Sequence, residues 1–308
     1  MANVVIVGAG PIGSWGATAA VADGVAAGVS GVVDPDQQAR EELMDSTGAP
    51  GYTSTVELPP AREGDRALVA FSSRADKVSP EIVRLVSLGY HVVTTCEELA
   101  WAPRHIWDAM HTSARSSGRV IIVTGANPGF SMDRFALLLA TSVRNVTLVQ
   151  VERRVNSSHR RPNLVEKTGY RVTPEAFASG LRSGSIGHKG LDASARMIAR
   201  GLLWPYHDVS VDIEPVFDDD TIIGAHHHAT LNSGDGRTVE LLLTMAWGID
   251  PTDRVEIVGE PPLRVVIEGG FPGDEGTTAN VVTALRRCTE LGPGFYRPTD
   301  LPLRLGVP

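Results

Sequence analysis

Two adjacent acids, Glu97 and Glu98, follow the run His91-Val92-Val93-Thr94-Thr95, whose β-branched residues read as a buried strand. A carboxylate at such a strand end can carry protons to and from a reacting centre and stabilise a cation beside it. Neighbouring residues at a strand end point in different directions, so one acid of the pair is expected in the crevice and the other outside it. A second reading is a surface pair opening a helix, where acids are favoured near the N-terminus.

A more specific constellation opens the chain. Val4-Val5-Ile6-Val7 reads as a buried parallel strand and runs into Gly8-Ala9-Gly10-Pro11-Ile12-Gly13, followed by a small-residue helix from Ser14 to Ala22. In this dinucleotide fingerprint Gly8 makes the tight turn, Gly10 admits a pyrophosphate to the backbone, and Gly13 lets the helix pack on the strand. The helix N-terminus then offers its free N–H groups to phosphate. The next apolar run, Gly28 to Val33, ends in Asp34, about 20 residues beyond the glycines, where a carboxylate bonds the adenine ribose. A carboxylate there repels a 2′-phosphate, and the first base to follow is Arg40. The cofactor expected is therefore NAD in preference to NADP. The segment Phe71-Ser72-Ser73 and Asn127 stand at later strand ends and join the cofactor candidates. Asn127 also reads simply as a turn-former before Pro128.

The run His226-His227-His228 has the residue type of a metal site. In a strand, however, His226 and His228 share a face and His227 opposes them, and no third ligand is recognisable nearby. No metal is expected. The two cysteines, Cys96 and Cys288, form no framework, and Cys96 reads as a small buried residue.

The elements that must position these residues alternate through the first half. Strands are expected at Ala67 to Phe71, His91 to Thr95 and Val120 to Thr124, with helices at Asp36 to Met44, Pro80 to Leu88 and Pro103 to Ser117. Such alternation specifies an α/β fold, a Rossmann-type doubly wound parallel sheet whose ligands sit at the carboxyl ends of its strands. After about Asn145 the texture changes. A strand at Val146 to Val155, a polar loop at Asn156 to Tyr170 and helices at Pro174 to Arg182 and Leu191 to Leu203 come first. Strands follow at Val209 to Val216, Ala225 to Asn232, Val239 to Trp247, Val255 to Val258 and Leu263 to Ile267, which reads as a second, α+β domain. A helix at Thr277 to Thr289 and a proline-rich tail from Pro293 close the chain.

With 308 residues, 42% hydrophobic and 21% charged, the composition is that of a globular protein, long enough for two domains. A net charge of −8 argues against nucleic acid as partner. No apolar run approaches the roughly 20 residues of a membrane span. The first residues read as strand rather than as a secretory leader, and a cytoplasmic location is expected.

Four segments together carry a family resemblance: Thr95-Cys96-Glu97-Glu98-Leu99, Gly125-Ala126-Asn127-Pro128-Gly129-Phe130-Ser131-Met132-Asp133, Leu181-Arg182-Ser183-Gly184-Ser185-Ile186-Gly187-His188, and Thr278-Ala279-Asn280-Val281-Val282. They resemble 2,4-diaminopentanoate dehydrogenase and the native amine dehydrogenases related to it, a group with the broader fold of dihydrodipicolinate reductase. The resemblance implies reductive amination of a ketone with ammonia and reduced nicotinamide, and the reverse oxidative deamination. It implies a dinucleotide domain of residues 1–142 plus 271–308, an interposed substrate and dimerisation domain of residues 143–270, and a homodimer. The resemblance points to Glu98 as the catalytic acid, with Glu97 second, and places His188 at the substrate. An aliphatic ketone would want an apolar pocket, for which Phe130, Met132 and Phe135 are candidates. An amino-ketoacid would want Asn156 and the cations Arg153, Arg160 or Arg161. Against these stand a solvated basic loop and an exposed loop histidine. The chain departs from dihydrodipicolinate reductases, which carry paired histidines, a lysine and Ser-Gly-Thr where this chain has Asn156-Ser157-Ser158-His159-Arg160-Arg161-Pro162. Two other functions share these features: reduction of a preformed cyclic imine without free ammonia, and non-catalytic sensing of a dinucleotide.

Overall fold

The structure, a computed structural model, describes residues 2–206 and 208–302. It divides into two compact units, one of residues through Gly129 together with the chain from Gly273 onward, the other Phe130–Pro272.

The first unit opens with β1 (Val4–Val7), α1 (Pro11–Ala22), β2 (Val29–Val33), α2 (Gln37–Thr47) and β3 (Gly51–Tyr52). It continues with β4 (Arg66–Val69), α3 (Ala75–Ser87), β5 (His91–Thr94), α4 (Arg104–Ser116) and β6 (Val120–Val123). The second unit carries α5 (Arg134–Ala140), β7 (Arg144–Asn156), α6 (Pro162–Glu166), α7 (Pro174–Ser183) and α8 (Leu191–Gly201), then β8 (Val209–Asp218), β9 (Thr221–Asn232), β10 (Thr238–Ala246), β11 (Thr252–Glu260) and β12 (Leu263–Glu268). The chain returns to the first unit with α9 (Gly273–Arg287) and β13 (Gly294–Tyr296).

Among the described residues the first unit holds a seven-stranded parallel sheet in the order β13-β6-β5-β4-β1-β2-β3. Every residue of β1, β4, β5 and β6 is buried, as strands covered by helices on both faces must be. Helix α1 lies close on the sheet because it carries glycine where it touches. A Cβ on Gly16 would stand 2.5 Å from Leu68 on β4, and 3.4 Å from Val281 on α9, which packs alongside.

The second unit holds a six-stranded sheet, β12-β11-β7-β10-β9-β8, antiparallel except for the β7–β10 pair. Its inner face, with Val149, Val151, Val155, Ala229, Leu231, Leu241 and Leu243, packs with Met132, Ala136 and Ala140 near α5 and Ala195 and Ile198 on α8. Its other face is polar and half-buried, laced by the cross-strand pairs Gln150–Glu240, Arg254–Glu152 and His228–Glu240.

Several elements differ from the sequence reading, each for a local reason. Helix α3 starts at Ala75, and Pro80 lies inside it. Its N-terminus is stabilised from outside, because the Glu98 carboxylate accepts from the Ala75 N–H at 2.9 Å. The polar stretch after β7 contains a 3-10 turn, Ser157–His159, and the short α6, which Pro162 opens at its first turn. The proline-rich tail supplies β13, which extends the first sheet beside β6. The first crossing falls at Gly129–Phe130, not at Ser142, because α5 packs into the second unit's core. No helix among the described residues is long and apolar enough to cross a membrane.

Candidate active site

The carboxyl ends of five adjacent strands of the first sheet carry the candidate residues of that unit. At the end of β1 the chain turns through Gly8 at φ +102°, where a Cβ would lie 2.8 Å from the Phe71 nitrogen. A Cβ on Gly13 would stand 1.9 Å from the Gly8 oxygen, so both positions need glycine for the fold itself. Gly10 is different. Its φ of −67° is open to any residue, and a Cβ there would meet no protein atom within 4 Å. Packing therefore gives no reason for its glycine, whereas a phosphate drawn against the backbone at the start of α1 does. The residues present fit a dinucleotide. Pro11 takes the first helical position and Ile12 anchors the turn in the core.

Asp34, at the end of β2, faces this loop. One carboxylate oxygen accepts from the Ala9 N–H at 2.8 Å and the other from the Asp36 N–H at 2.9 Å. The Arg40 guanidinium donates to the Asp34 carbonyl at 2.5 Å, so the base that follows the acid in sequence also lies beside it in space.

At the end of β4, Phe71 is 42% exposed, and the Ser72 hydroxyl accepts from the Arg74 N–H at 3.1 Å. The end of β5 leads into a 3-10 turn, Glu97–Trp101. Glu98 ties the two loops together: its N–H donates to the Ser73 carbonyl at 3.2 Å and its carboxylate caps α3 at Ala75. Both acids are half-buried. Trp101 closes the same turn beneath the Arg297 guanidinium, 4.6 Å from its ring centroid. Cys96 is no nucleophile, since burial pushes its thiol up to about 12.

Asn127 is half-buried in the loop that follows β6. Gly129, at φ +148°, folds this loop back until a Cβ on it would lie 2.2 Å from the Gly125 oxygen. The loop is held by α9: Asn280 Nδ2 donates to the Gly125 carbonyl at 2.9 Å, and Thr277 Oγ1 accepts from the Ala126 N–H at 3.2 Å.

The second unit carries the remaining candidates. Phe130 stacks on Phe135 at 5.9 Å and meets Phe271 in a tilted contact at 5.1 Å. Met132 is 0% exposed and belongs to the core rather than to a surface that could meet substrate. Asn156 accepts at its side-chain oxygen from the Ser158 N–H, the Ser158 hydroxyl and the Gly248 N–H, which leaves only its Nδ2 for other work. Arg153, 4% exposed, pairs with Asp253 at 3.1 Å and donates to the Phe271 carbonyl at 2.7 Å. It is thereby removed from the cations available to a substrate carboxylate.

His188 donates its backbone N–H to His227 Nε2 at 2.8 Å, and the two rings meet edge to face at 6.5 Å. Because Nε2 accepts, the proton of the His227 imidazole sits on Nδ1, which donates to the Leu243 carbonyl at 3.2 Å. Burial, then the neighbouring His188, lowers its pKa to about 3. His226 pairs with Thr244, and His228 with Glu240 and Thr230, on the opposite face of β9. Among the described residues no group of three or more His, Cys, Asp or Glu side chains is placed to hold a metal.

Sequence reasoning weighs His227 only within the histidine run and assigns no role to Thr277 or to the stacked pair Tyr170–Trp247, whose rings lie 4.4 Å apart beside Gly248. For His227 the strand alternation shows only that it faces away from His226 and His228. The other contacts join distant segments and leave no local pattern.

Residues 130–307, more than half of the chain, match the model of the 2,4-diaminopentanoate dehydrogenase C-terminal domain. The 2,4-diaminopentanoate dehydrogenase of Acetoanaerobium sticklandii is 26% identical over 265 residues, covering 79% of this chain and 75% of that protein. Among solved structures, an amine dehydrogenase from Mycobacterium smegmatis superposes with a TM-score of 0.84 at 17% identity, covering 100% of this chain and 97% of that one. A WlbA dehydrogenase from Bordetella pertussis, solved with NADH and UDP-GlcNAcA, superposes at 0.58 with 14% identity, over 93% and 88% of the two chains. The protein is an oxidoreductase acting on amine groups, and the chain belongs to the 2,4-diaminopentanoate dehydrogenase family.

Proposed function

We propose that this chain interconverts an amine and a ketone with a nicotinamide dinucleotide, using free ammonia in the aminating direction. The observation that carries the reading is Glu98, whose carboxylate accepts from the Ala75 N–H and whose own N–H donates to the Ser73 carbonyl, at the strand edge where the dinucleotide loop lies. The bound nicotinamide would supply hydride in amination and accept it in deamination. The α1 N-terminus and the Gly8–Gly13 loop hold its phosphates, and Asp34 accepts from the ribose hydroxyls. We favour NAD over NADP because a 2′-phosphate would face Asp34 and the adjacent Asp36.

Glu98 takes a proton from ammonium so that ammonia can add to the ketone carbon. The same carboxyl returns a proton to the departing hydroxyl as the carbinolamine loses water. Its regained charge then stabilises the iminium cation that receives hydride. The balance is one ketone, one ammonia, one hydride and one proton consumed, and one amine and one water released. Glu97 is the second candidate for the role. For substrate recognition we retain Phe130 and His188. The commitment of Arg153 to Asp253 leaves Arg160 and Arg161 as the cations for an amino-ketoacid, and we favour an uncharged ketone.

We also infer a homodimer joined through the polar face of the second sheet, where Val258 and Val266 are exposed among the cross-strand pairs. Light scattering on the purified protein checks it, and a monomer refutes it. The activity is tested by following NADH oxidation over a panel of ketones and amino-ketoacids with and without ammonium. Ammonium-dependent turnover is expected. Turnover of a cyclic imine alone, without ammonium, would transfer the assignment to an imine reductase, and NADH binding without turnover of any substrate would indicate a sensor.

A further inference from the structure

The start of α9 meets the Asn127 loop across 151 and 155 residues of sequence, through Thr277 and Asn280. The Thr277 hydroxyl has two partners. It accepts from the Ala126 N–H at 3.2 Å and gives its own proton to the Gly273 carbonyl at 2.7 Å. Asn280, one turn further along the same helix face, donates its Nδ2 to the Gly125 carbonyl at 2.9 Å. Gly125 and Ala126 are buried, so neither bond is readily replaced by water. The loop's internal shape comes from its own backbone, since Gly129 folds directly onto Gly125. What the internal shape does not set is where the loop sits on the sheet, and the two α9 side chains act on that coordinate.

We propose that Thr277 and Asn280 are positioning residues for Asn127, fixing the side chain that meets the nicotinamide amide or the substrate. The chemistry of the pair is specific. At 277 a group that both donates and accepts is needed, which serine retains and valine lacks. At 280 a donor is needed, and aspartate would set a carboxylate oxygen against the Gly125 carbonyl. The assignment rests on the proposed function together with a contact of Asn127 with cofactor or substrate, which its place in the loop after β6, at the carboxyl edge of the sheet, supports.

The test is a double-mutant cycle on the full-length protein, with NADH affinity read by fluorescence and kcat read by ammonium-dependent NADH oxidation. A loop displaced by about 1 Å costs on the order of 10²-fold in rate. Asn280→Ala and Thr277→Val are expected to lower kcat by ~10- to 100-fold and to weaken NADH binding, with Thr277→Ser restoring both. In an Asn127→Ala background, Asn280→Ala should add less than about twofold, because its effect is exerted through the missing side chain. Losses that simply multiply would overturn the proposal, as would an Asn280→Ala protein that loses melting temperature but keeps kcat and NADH affinity. If Asn280→Ala does not fold, the Thr277→Val and Thr277→Ser pair in the Asn127→Ala background decides by the same criterion. A wild-type protein that binds no NADH defeats the proposed function itself. Binding by the wild type with multiplicative mutants defeats only the positioning role.

Discussion

Glutamine at position 98 separates the two jobs of that residue. The Glu98 carboxylate accepts from the Ala75 N–H at 2.9 Å, and a glutamine side-chain oxygen can accept the same bond. Glu98→Gln therefore keeps the α3 cap and removes the charge and the proton-carrying capacity. Losing a positioned acid–base group costs ~10²- to 10⁴-fold in rate. That corresponds to about 2.7 to 5.5 kcal/mol of barrier. Glu98→Ala loses the cap as well, worth about 1 kcal/mol of stability. For a domain of this size that is a fall of about 2 to 4 °C in melting temperature. The assay is ammonium-dependent NADH oxidation, paired with NADH affinity and a thermal melt for each variant. Glu98→Gln should be nearly inactive at a wild-type melting temperature with NADH binding retained, and Glu98→Ala inactive and less stable. Glu97→Gln, which has no cap to lose, should fall by less than ~10-fold. An active Glu98→Gln beside a dead Glu97→Gln would show that the neighbouring acid carries the proton and that Glu98 is only a helix cap. Full activity in both would place the base elsewhere, with His188 the next to test.

Three further outcomes follow from the same geometry. Gly10→Ala should weaken NADH binding by at least ~10-fold with an unchanged melting temperature, because the added methyl meets no protein atom but stands where the pyrophosphate approaches; wild-type affinity by calorimetry would contradict this. Asp34→Asn should raise NADPH affinity relative to NADH, since the amide oxygen can keep one backbone bond while the charge facing a 2′-phosphate is gone; an unchanged ratio would remove Asp34 from cofactor choice. For His227 the unfolded chain binds a proton below its ordinary value of 6.5, while the buried imidazole does so only near 3. Stability from this site is therefore complete above pH 6.5, declines as the pH falls below it, and is lost at about 3. Melting temperature should drop on acidification across that window, and His227→Gln, whose oxygen can still accept from the His188 N–H, should show a shallower slope; equal slopes would assign the acid sensitivity to other groups.

The doubly wound sheet was legible because its strands are written as unbroken β-branched runs with polar or amphipathic stretches between them. Val4–Val7 and Val120–Val123 have no alternation to confuse with a helix and are buried throughout. The misses fall where a distant group decides a local structure. Pro80 looks like a helix start, yet α3 begins at Ala75 because a carboxylate 23 residues further on satisfies its first N–H. Gly294-Phe295-Tyr296 looks like part of a tail, yet it is a strand because β6 leaves an edge to which three residues can add.

The same division runs through the candidate site. Glycine positions, Asp34 and the Glu97–Glu98 pair could be picked out because the carboxyl edge of a parallel sheet is a fixed address for ligands, and strand ends can be found from sequence. Their supports could not, since a support is defined by what it touches. Asn280 stands in the sequence inside a segment that carries the family resemblance but with no role assigned, and only the fold places its amide on the Gly125 carbonyl. Arg153 stood as a free cation, and only the fold spends it on Asp253 and the Phe271 carbonyl. Gly10 reverses the relation. Its glycine was visible from the start, but its meaning emerged from what is missing around it, because neither its backbone angles nor its protein neighbours ask for glycine. Its place at the start of α1, where helix N–H groups face a phosphate, is what gives that freedom a use.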